Sequence, residues 1–271
     1  MKSLFIVFIA LLSAAHAQDL EIVGWNVESG GSHHDTIAAQ LAEFRGADVI
    51  CLLEVDPDAE ETFGKALNDD GHSYGFQMTE EGGNDRMMVM YREETLTLDT
   101  IWSVKEISLV TYRPMLVAGF THKETGQKFF VGTNHLARGC DYCRQAQSRA
   151  LSKWQWVEPT VKPYPVIYVG DYNYDWDVQK GDEDHNNGYD ALTYKDYVTW
   201  VRPEKLILTQ CSAQDNGTCK YDSVLDFIFI NKTGKEFFSE MSSTIVVRDG
   251  DFPDNEHTAD HRAVKGSFTF K

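Results

Sequence analysis

The sequence has little positive charge. Its 271 residues include 25 Lys and Arg against 42 Asp and Glu, which gives a formal net charge of −17 at pH 7. Proteins that bind nucleic acid electrostatically, without sequence preference, depend on clustered Lys and Arg to displace counterions. The charge argues against that class. It does not argue against an enzyme, because an acidic hydrolase can bind phosphate locally through divalent cations and a few arginines.

Long apolar runs are also scarce. One begins after Lys2, as LFIVFIALLSAA, and is followed by the small-residue end AHA before Gln18. We interpret residues 1–17 as a cleaved signal peptide, so the expected location is the periplasm or the external medium. The run is shorter than the roughly eighteen residues of a membrane helix, so no stable membrane insertion is expected. If the source is eukaryotic, Asn216 in NGT and Asn231 in NKT are glycosylation acceptors.

The chain lacks internal repeats, low-complexity tracts and Pro- or Ser-rich linkers, so residues 18–271 are predicted to form one domain. Strand-like runs occur at 20–27, 47–55, 86–92, 115–121, 128–136, 165–172, 225–231, 243–248 and 263–270. Two predicted helices have apolar faces formed by Ile37, Leu41 and Phe44, and by Ala146, Ala150, Trp154 and Val157. Helical connections within 20–55 and 136–172 predict mixed sheets, and the adjacent runs of 86–136 predict antiparallel hairpins.

Cysteine is sparse as well, with five residues. Cys140 and Cys143 are close together in CDYC, Cys211 and Cys219 in CSAQDNGTC, and Cys51 lies inside the apolar run VICLLEV. In an exported chain the two close pairs are expected to form disulfides, and Cys51 to remain a buried thiol. Four cysteines around zinc is the alternative, although the second pair lacks a zinc-knuckle spacing.

Polar side chains collect where the predicted strands end. Asp171 and Asn173 follow the apolar run 166–169, and the two-residue period of a strand places both on one face. Other strand ends carry Asn26, Glu28, Glu54, Asn134, His135, Asp226, Asp260 and His261. Each alone can be explained as a turn former. If the strands lie side by side, however, these residues converge on one rim, where carboxylates can bind a hard divalent cation and histidines can transfer protons.

The ordered set of short motifs resembles the endonuclease/exonuclease/phosphatase superfamily, which includes deoxyribonucleases of the pancreatic type. The motifs are WN (Trp25, Asn26), LLEV (Glu54), NHL (His135), GDYN (Asp171, Asn173), LDFIFI (Asp226) and DH (Asp260, His261). The resemblance covers residues 20–270. It implies an α/β fold, a four-layer sandwich with two mixed β-sheets packed face to face and helices outside. It also implies Mg²⁺- or Mn²⁺-dependent cleavage of a phosphate ester.

The resemblance implies a metal site and a catalytic histidine. Glu54 is the expected principal metal ligand with Asn26 beside it, and Glu28 and Asp260 are further candidates for the metal shell. His261 would act on the attacked phosphate or on the water. Asp226 would accept a hydrogen bond from the other ring nitrogen of that histidine and hold its tautomer.

Further catalytic roles follow from the same resemblance. Asp171 and Asn173 would orient the nucleophilic water and the developing negative oxygens. His135 resembles the second catalytic histidine of the secreted deoxyribonucleases. Asp85 falls where those enzymes place the acid that orients this histidine, with Asp here instead of the longer Glu.

In-line displacement at phosphorus also needs donors for the non-bridging oxygens. Arg113 and Tyr112, in TYRPML, precede a strand and are the candidates for phosphate binding. A solvent-facing strand start is the alternative for Arg113. Arg138, with the segment CRQAQSR, is the best candidate for following a chain of phosphates.

The acidic segment 175–190 resembles a calcium-binding loop in part. Asp182, Asp184 and Asn186 alternate as the early ligands of an EF-hand loop do. Asn187 replaces the required Gly, and Thr193 stands where the bidentate Glu should be. A solvated loop is therefore favoured over a structural Ca²⁺ site.

The expected function is an exported, monomeric, metal-dependent phosphodiesterase, with an endonuclease of the deoxyribonuclease type acting on nucleic acid as the leading hypothesis. His135, Asp85 and the disulfide-containing, secreted setting favour the nuclease, whereas the net charge opposes it. Sphingomyelinases, other phospholipid diesterases and inositol phosphatases share the same core and stay open. A non-catalytic binding protein on this fold would have lost Glu54, Asp171 or His261, and all three are present.

Overall fold

The computed structural model describes residues 19–28, 30–68, 71–108, 113–178, 185–213, 218–251 and 257–271. The strands are β1 (Asp19–Asn26), β2 (Val49–Val55), β3 (Tyr74–Met78), β4 (Arg86–Arg92), β5 (Leu96–Val104), β6 (Met115–His122), β7 (Lys128–His135), β8 (Val166–Trp176), β9 (Val198–Trp200), β10 (Gln210–Ala213), β11 (Cys219–Asn231), β12 (Phe238–Ile245) and β13 (Val264–Phe270). The helices are α1 (His34–Leu41), α2 (Glu60–Ala66), α3 (Asp141–Val157), α4 (Asn187–Thr193) and α5 (Lys232–Phe237). The predictions for residues 1–17, Tyr112, Asp182, Asp184 and Asn216 lie outside the described residues.

The strands form two mixed sheets, as predicted. One has the order β12-β13-β1-β2-β4-β3, and the other has the order β10-β11-β8-β7-β6-β5 with β9 paired to β11. The parallel pairs are β1 with β2 and β7 with β8, and each pair is joined through a helix, α1 or α3. Strands β5, β6 and β7 form the antiparallel meander expected from their short connections.

Three apolar clusters define the layers. The first lies between the sheets and draws residues from both, such as Ile22 and Cys51 from one sheet and Val131 and Val169 from the other. A second cluster packs α3 and α4 on the outer face of the seven-stranded sheet, and a third packs α1 and α2 on the outer face of the six-stranded sheet. This is the predicted four-layer α/β sandwich, so that prediction is confirmed.

Of the predicted apolar face of α3, Trp154 is buried and Ala150 packs against the same cluster, but the prediction was wrong at Val157. Val157 is 71% exposed, whereas the polar residues Gln147 and Ser148 are buried. These polar side chains can be buried because they are hydrogen-bonded: Gln147 accepts from the Ala137 N–H at 2.8 Å, and Ser148 pairs with a tyrosine hydroxyl of β8 at 2.9 Å. By contrast, the predicted face of α1 and the turn after it, Ile37, Leu41 and Phe44, is buried.

Both close cysteine pairs form disulfides, Cys140 with Cys143 and Cys211 with Cys219, and Cys51 is a buried free thiol. Asn231 is unsuited to glycosylation. It is 2% exposed, and its side-chain oxygen accepts from the backbone N–H groups of Val166 and Gly234. Within the described residues, no helix is long and apolar enough to cross a membrane.

Gly170 sets the close pairing of β7 and β8 next to the candidate site. Its φ is +148°, and a Cβ placed there would lie 1.9 Å from the backbone oxygen of Asn134. We therefore expect Gly170→Ala to lower the free energy of unfolding by about 3 kcal/mol, because both the backbone conformation and the strand pairing must change. Urea denaturation would measure this effect.

Gly30→Ala is the matched control for Gly170→Ala, since a Cβ at Gly30 meets nothing within 4 Å. We expect it to change the free energy of unfolding by less than about 0.5 kcal/mol. Equal stabilities of the two variants would show that the close approach at Gly170 is not needed.

Candidate active site

The two parallel strand pairs place polar residues at one end of the sandwich. Asn26 ends β1 and Glu54 lies near the end of β2, while His135 ends β7 and is in register with Asp171 of β8. The antiparallel neighbour β11 places Asp226 opposite Asp171. Because the carboxyl ends of parallel strands meet at one edge, residues far apart in the sequence come together here.

Glu54, His135 and Asp171 form the first half of the site. The Asn26 amide nitrogen donates to Glu54 Oε1 at 2.9 Å and to Asp171 Oδ2 at 3.3 Å. His135 Nε2 lies 3.6 Å from Glu54 Oε1 and 3.5 Å from Asp171 Oδ2. One ligand atom from each of Glu54, His135 and Asp171 lies within 4.8 Å of the others, so this group could hold a metal ion.

His261 and Asp226 form the second half. His261 Nδ1 pairs with Asp226 Oδ2 at 2.7 Å, and His261 Nε2 lies 3.9 Å from Asp171 Oδ2 and 3.6 Å from Asp260 Oδ1. Trp25 Nε1 donates to the His261 backbone oxygen at 2.9 Å. The imidazole is therefore held on its Nδ1 side and by its backbone, with Nε2 directed toward the shared carboxylate.

The environment shifts the pKa values of His135 and His261 in opposite directions. Burial lowers the pKa of His135 well below its ordinary value, and the positive charges of Arg113 and His261 lower it further. Burial alone would also lower the pKa of His261, but the carboxylates of Asp226, Asp171 and Asp260 together outweigh it and hold this pKa well above the ordinary value. Asp171 lies between the two histidines. Burial raises its pKa to about 7, although the positive charge of His261 acts to lower it.

Unusual backbone conformations accompany several of these residues. Glu54 and Asn173 have φ values of +55° and +52°, in the left-handed region that non-glycine residues seldom occupy. At Glu54 the ladder between β2 and β4 is interrupted by a bulge between Leu52 and Val55. The bulge turns Glu54 out of the regular strand alternation and toward Asn26. Backbone strain at a polar cluster is a feature typical of functional sites.

The sequence profile of the Endonuclease/Exonuclease/phosphatase family matches residues 23–244. The chain belongs to this family. Its members are metal-dependent hydrolases that act on phosphate esters, so the protein is an enzyme of that type. No curated protein sequence matches the chain significantly.

Solved structures share the family fold at low sequence identity. A family member from Bacteroides thetaiotaomicron is 16% identical with a TM-score of 0.68, over 94% of this chain and 98% of the other. D. rerio TDP2, in complex with a single-strand DNA product, is 21% identical with a TM-score of 0.70, over 93% and 99%. A mannosyl-6-phosphatase from B. thetaiotaomicron is 17% identical with a TM-score of 0.65, over 93% and 100%.

Two of the predicted metal-shell residues of this family member are engaged elsewhere. Glu28 Oε2 accepts from the Asp260 backbone N–H at 3.1 Å, so Glu28 caps the segment before His261. The Asp260 carboxylate accepts from Gln210 at 2.9 Å and from Ser212 at 2.5 Å. These two acids therefore support the position of His261, and their place in a metal shell stays a prediction.

Asn26 has the position that the resemblance implied. It lies beside Glu54, but it presents its amide nitrogen to that carboxylate, and its side-chain oxygen accepts from the Glu28 N–H at 3.1 Å. In this orientation Asn26 positions Glu54, and its role as a metal ligand stays a prediction.

Asp85 does not contact His135. It pairs with Arg113 instead, whose Nη2 donates to the Asp85 carboxylate and whose Nε donates to its backbone oxygen at 3.2 Å. His135 Nδ1 has no hydrogen-bond partner among the described residues. The prediction that Asp85 orients His135 was therefore wrong: the guanidinium holds this shorter acid. The pair stays near the site, because Asp85 and Arg113 both act electrostatically on Glu54.

Sequence reasoning missed Thr209 and Gln210, which hydrogen-bond to the segments that carry Asp226 and Asp260. Thr209 Oγ1 accepts from the backbone N–H of Leu225 at 2.9 Å and of Asp226 at 3.2 Å. Gln210 bonds to Asp260 and pairs with His261 in an isolated β-bridge. These residues lie in the segment before β10 and at its start, which the sequence did not predict as a strand. Only the contact with the distant DH motif reveals their role.

Proposed function

We propose that the protein is an exported phosphodiesterase that uses Mg²⁺, with Mn²⁺ as the alternative ion, and acts on nucleic acid in the manner of a deoxyribonuclease. The observation that carries this proposal is the pair of histidines around Asp171. Both Nε2 atoms lie within 3.9 Å of Asp171 Oδ2, and the pKa values of the two rings are shifted in opposite directions. A neutral and a protonated imidazole across one carboxylate suit acid–base work on both sides of a phosphodiester.

Each side chain has a task in this scheme. Asp226 holds His261 with Nε2 toward the centre, where the imidazolium stabilises the negative oxygens of the attacked phosphate. Asp171, whose other oxygen accepts from the Asn173 N–H at 2.9 Å, orients the attacking water and receives its proton. Neutral His135 lies beside both carboxylates and binds the phosphate oxygens or the water. The bond from water to phosphorus forms in line as the leaving oxygen departs.

The residues fit a hard divalent cation. Glu54 and Asp171 supply carboxylate oxygens close together, and burial raises the pKa of Glu54 against the hydrogen bond from Asn26, so a cation beside it would favour its charged form. The Glu54 side chain keeps 25% of its surface exposed, so the position is reachable from solvent. Glu54 would be the principal ligand of the ion, and a bound ion would neutralise charge that spreads over the phosphoryl group. Carboxylate oxygens favour Mg²⁺, whereas an imidazole in the group favours Mn²⁺.

Export is supported by the amino-terminal segment and the disulfides. Residues 1–17 have the charged start, apolar core and small-residue end of a signal peptide. Two disulfides are compatible with an oxidising compartment, because such bonds seldom persist in a reducing cytosol.

The proposed activity can be tested with purified protein beginning at Gln18. It would be incubated with plasmid DNA, bulk RNA, sphingomyelin and an inositol polyphosphate, each with Mg²⁺, with Mn²⁺ or with chelator. We expect metal-dependent cleavage of the nucleic acids. Hydrolysis of only the lipid or the inositol phosphate would overturn the nucleic-acid assignment, and hydrolysis that continues in chelator would overturn the metal dependence.

A further inference from the structure

A cavity of about 460 Å³ opens beside the proposed catalytic residues. Asn173 and Gln210 line it, and both are tied to the centre: Asn173 donates to Asp171 and Gln210 donates to Asp260. We call this space the side cavity. Its volume is that of a small-molecule pocket, and a substrate whose phosphate lies at the centre would extend into it.

The side cavity is lined mainly by polar residues, and three of them are buried. Arg144, Gln210 and Asn173 are 2%, 3% and 5% exposed, respectively, and all line the cavity. Arg144 is fixed by bonds to the Ala137 backbone oxygen at 2.8 Å and to the Asp141 carboxylate, and its buried Nε has no hydrogen-bond partner among the described residues. Fixed amide and guanidinium groups of this kind recognise a ligand by hydrogen bonds rather than by apolar contact.

The charges around the side cavity do not suit a chain of phosphates. Two guanidinium groups line it, Arg138 and Arg144, against three carboxylates, Asp141, Asp175 and Asp222. Asp141 and Asp175 both pair with Arg144, so one guanidinium is shared between two carboxylates whose side chains are 85% and 64% exposed. The lining therefore has one more carboxylate than guanidinium groups, and the whole chain has a net charge of −17. A second phosphate placed here would be repelled.

We infer that the side cavity binds one uncharged, hydroxyl-bearing unit esterified to the scissile phosphate, and that it disfavours a second phosphate beyond that unit. Hydroxyl groups can donate to the carboxylates and accept from the guanidinium and amide groups. A nucleoside at the end of a strand and a monosaccharide both have this chemistry. The inference rests on the proposed phosphodiesterase activity, and it makes chain ends and short phosphodiesters better substrates than the interior of a long strand.

The test compares kcat/KM on a dinucleotide, a single-stranded 20-mer and a methyl phosphodiester of a hexose, for the wild type and for Asp175→Asn combined with Asp222→Asn. At low ionic strength we expect the double variant to raise kcat/KM on the 20-mer about fivefold relative to the dinucleotide, because two repulsive charges are removed. The gain should shrink in high salt. A gain of activity cannot result from misfolding.

The matched control is Glu236→Gln combined with Glu240→Gln, which removes the same charge from exposed positions on α5 and β12. We expect no change in substrate preference. An equal gain in the control, or an unchanged preference in the Asp175 and Asp222 variant while hydrolysis persists, would overturn the inference alone. Absence of metal-dependent hydrolysis on every substrate would overturn the proposed function and the inference with it.

A second measurement addresses the bound unit itself. Ser223 also lines the side cavity, and we expect Ser223→Ala to raise KM for the preferred short substrate about threefold through loss of one hydrogen bond. KM for bis(p-nitrophenyl) phosphate, which has no hydroxyl groups, should stay the same. Faster turnover of the dinucleotide than of the hexose phosphodiester by the wild type identifies the unit as a nucleoside, and the reverse identifies a sugar. An equal rise in KM on both the short substrate and the nitrophenyl ester would contradict hydroxyl recognition.

Discussion

We expect His261→Ala to lower kcat for metal-dependent phosphodiester hydrolysis about a thousandfold, with little change in KM. His261 is 8% exposed, is held by Asp226 on one ring nitrogen, and directs the other toward Asp171. The variant removes the cation that we assign to the negative oxygens of the transition state, so the loss should fall on kcat. Steady-state kinetics on the best substrate of the wild type measures it.

Asp226→Asn tests how far catalysis by His261 depends on the neighbouring carboxylate. It leaves the imidazole in place but removes the charge that raises the pKa of His261, and an amide nitrogen can then face the ring nitrogen that must donate. We expect kcat to fall about a hundredfold, less than in His261→Ala, and the pH profile of kcat to shift toward lower pH.

Unchanged kcat in His261→Ala, with the fold intact by circular dichroism, would remove His261 from the mechanism.

The second large effect is expected at Glu54. We predict that Glu54→Gln lowers activity at saturating substrate about a thousandfold and raises the Mg²⁺ concentration needed for half-maximal activity, because a carboxylate that we assign to the ion becomes neutral. The amide oxygen can still accept from Asn26, so the local structure should persist. The thermal stabilisation that saturating Mg²⁺ gives to the wild type should also disappear, and this readout does not depend on activity.

Glu124→Gln is the control for Glu54→Gln. Glu124 is exposed in the turn between β6 and β7, at the opposite end of β7 from His135, and has the same side chain. We expect the activity and metal response of this variant to match the wild type. If Glu54→Gln keeps the metal-induced rise in melting temperature, Glu54 is not the principal ligand.

Much of the fold could be predicted from the sequence. Strands such as β7 and β8 are strongly apolar and β-branched, and their buried runs are long enough to be recognised without tertiary information. The strands β3, β5, β9 and β10 were not predicted. β5 alternates exposed and half-buried residues, and β9 has three residues, so neither has the continuous apolar pattern of a buried strand.

The sequence by itself determined the strongly apolar strands and the residue types at their ends, because hydrophobic period is a local property of the chain, and its ordered motifs carried the resemblance that implied the family and the sandwich. Only the tertiary structure decided the partners. In the fold, Asp85 pairs with Arg113, and Glu28 accepts a hydrogen bond from the Asp260 backbone amide. Asn173 and Glu54 have left-handed backbone conformations. These outcomes depend on distances between side chains that are far apart in the sequence, and on competition among several acids for few cations, which no local pattern encodes.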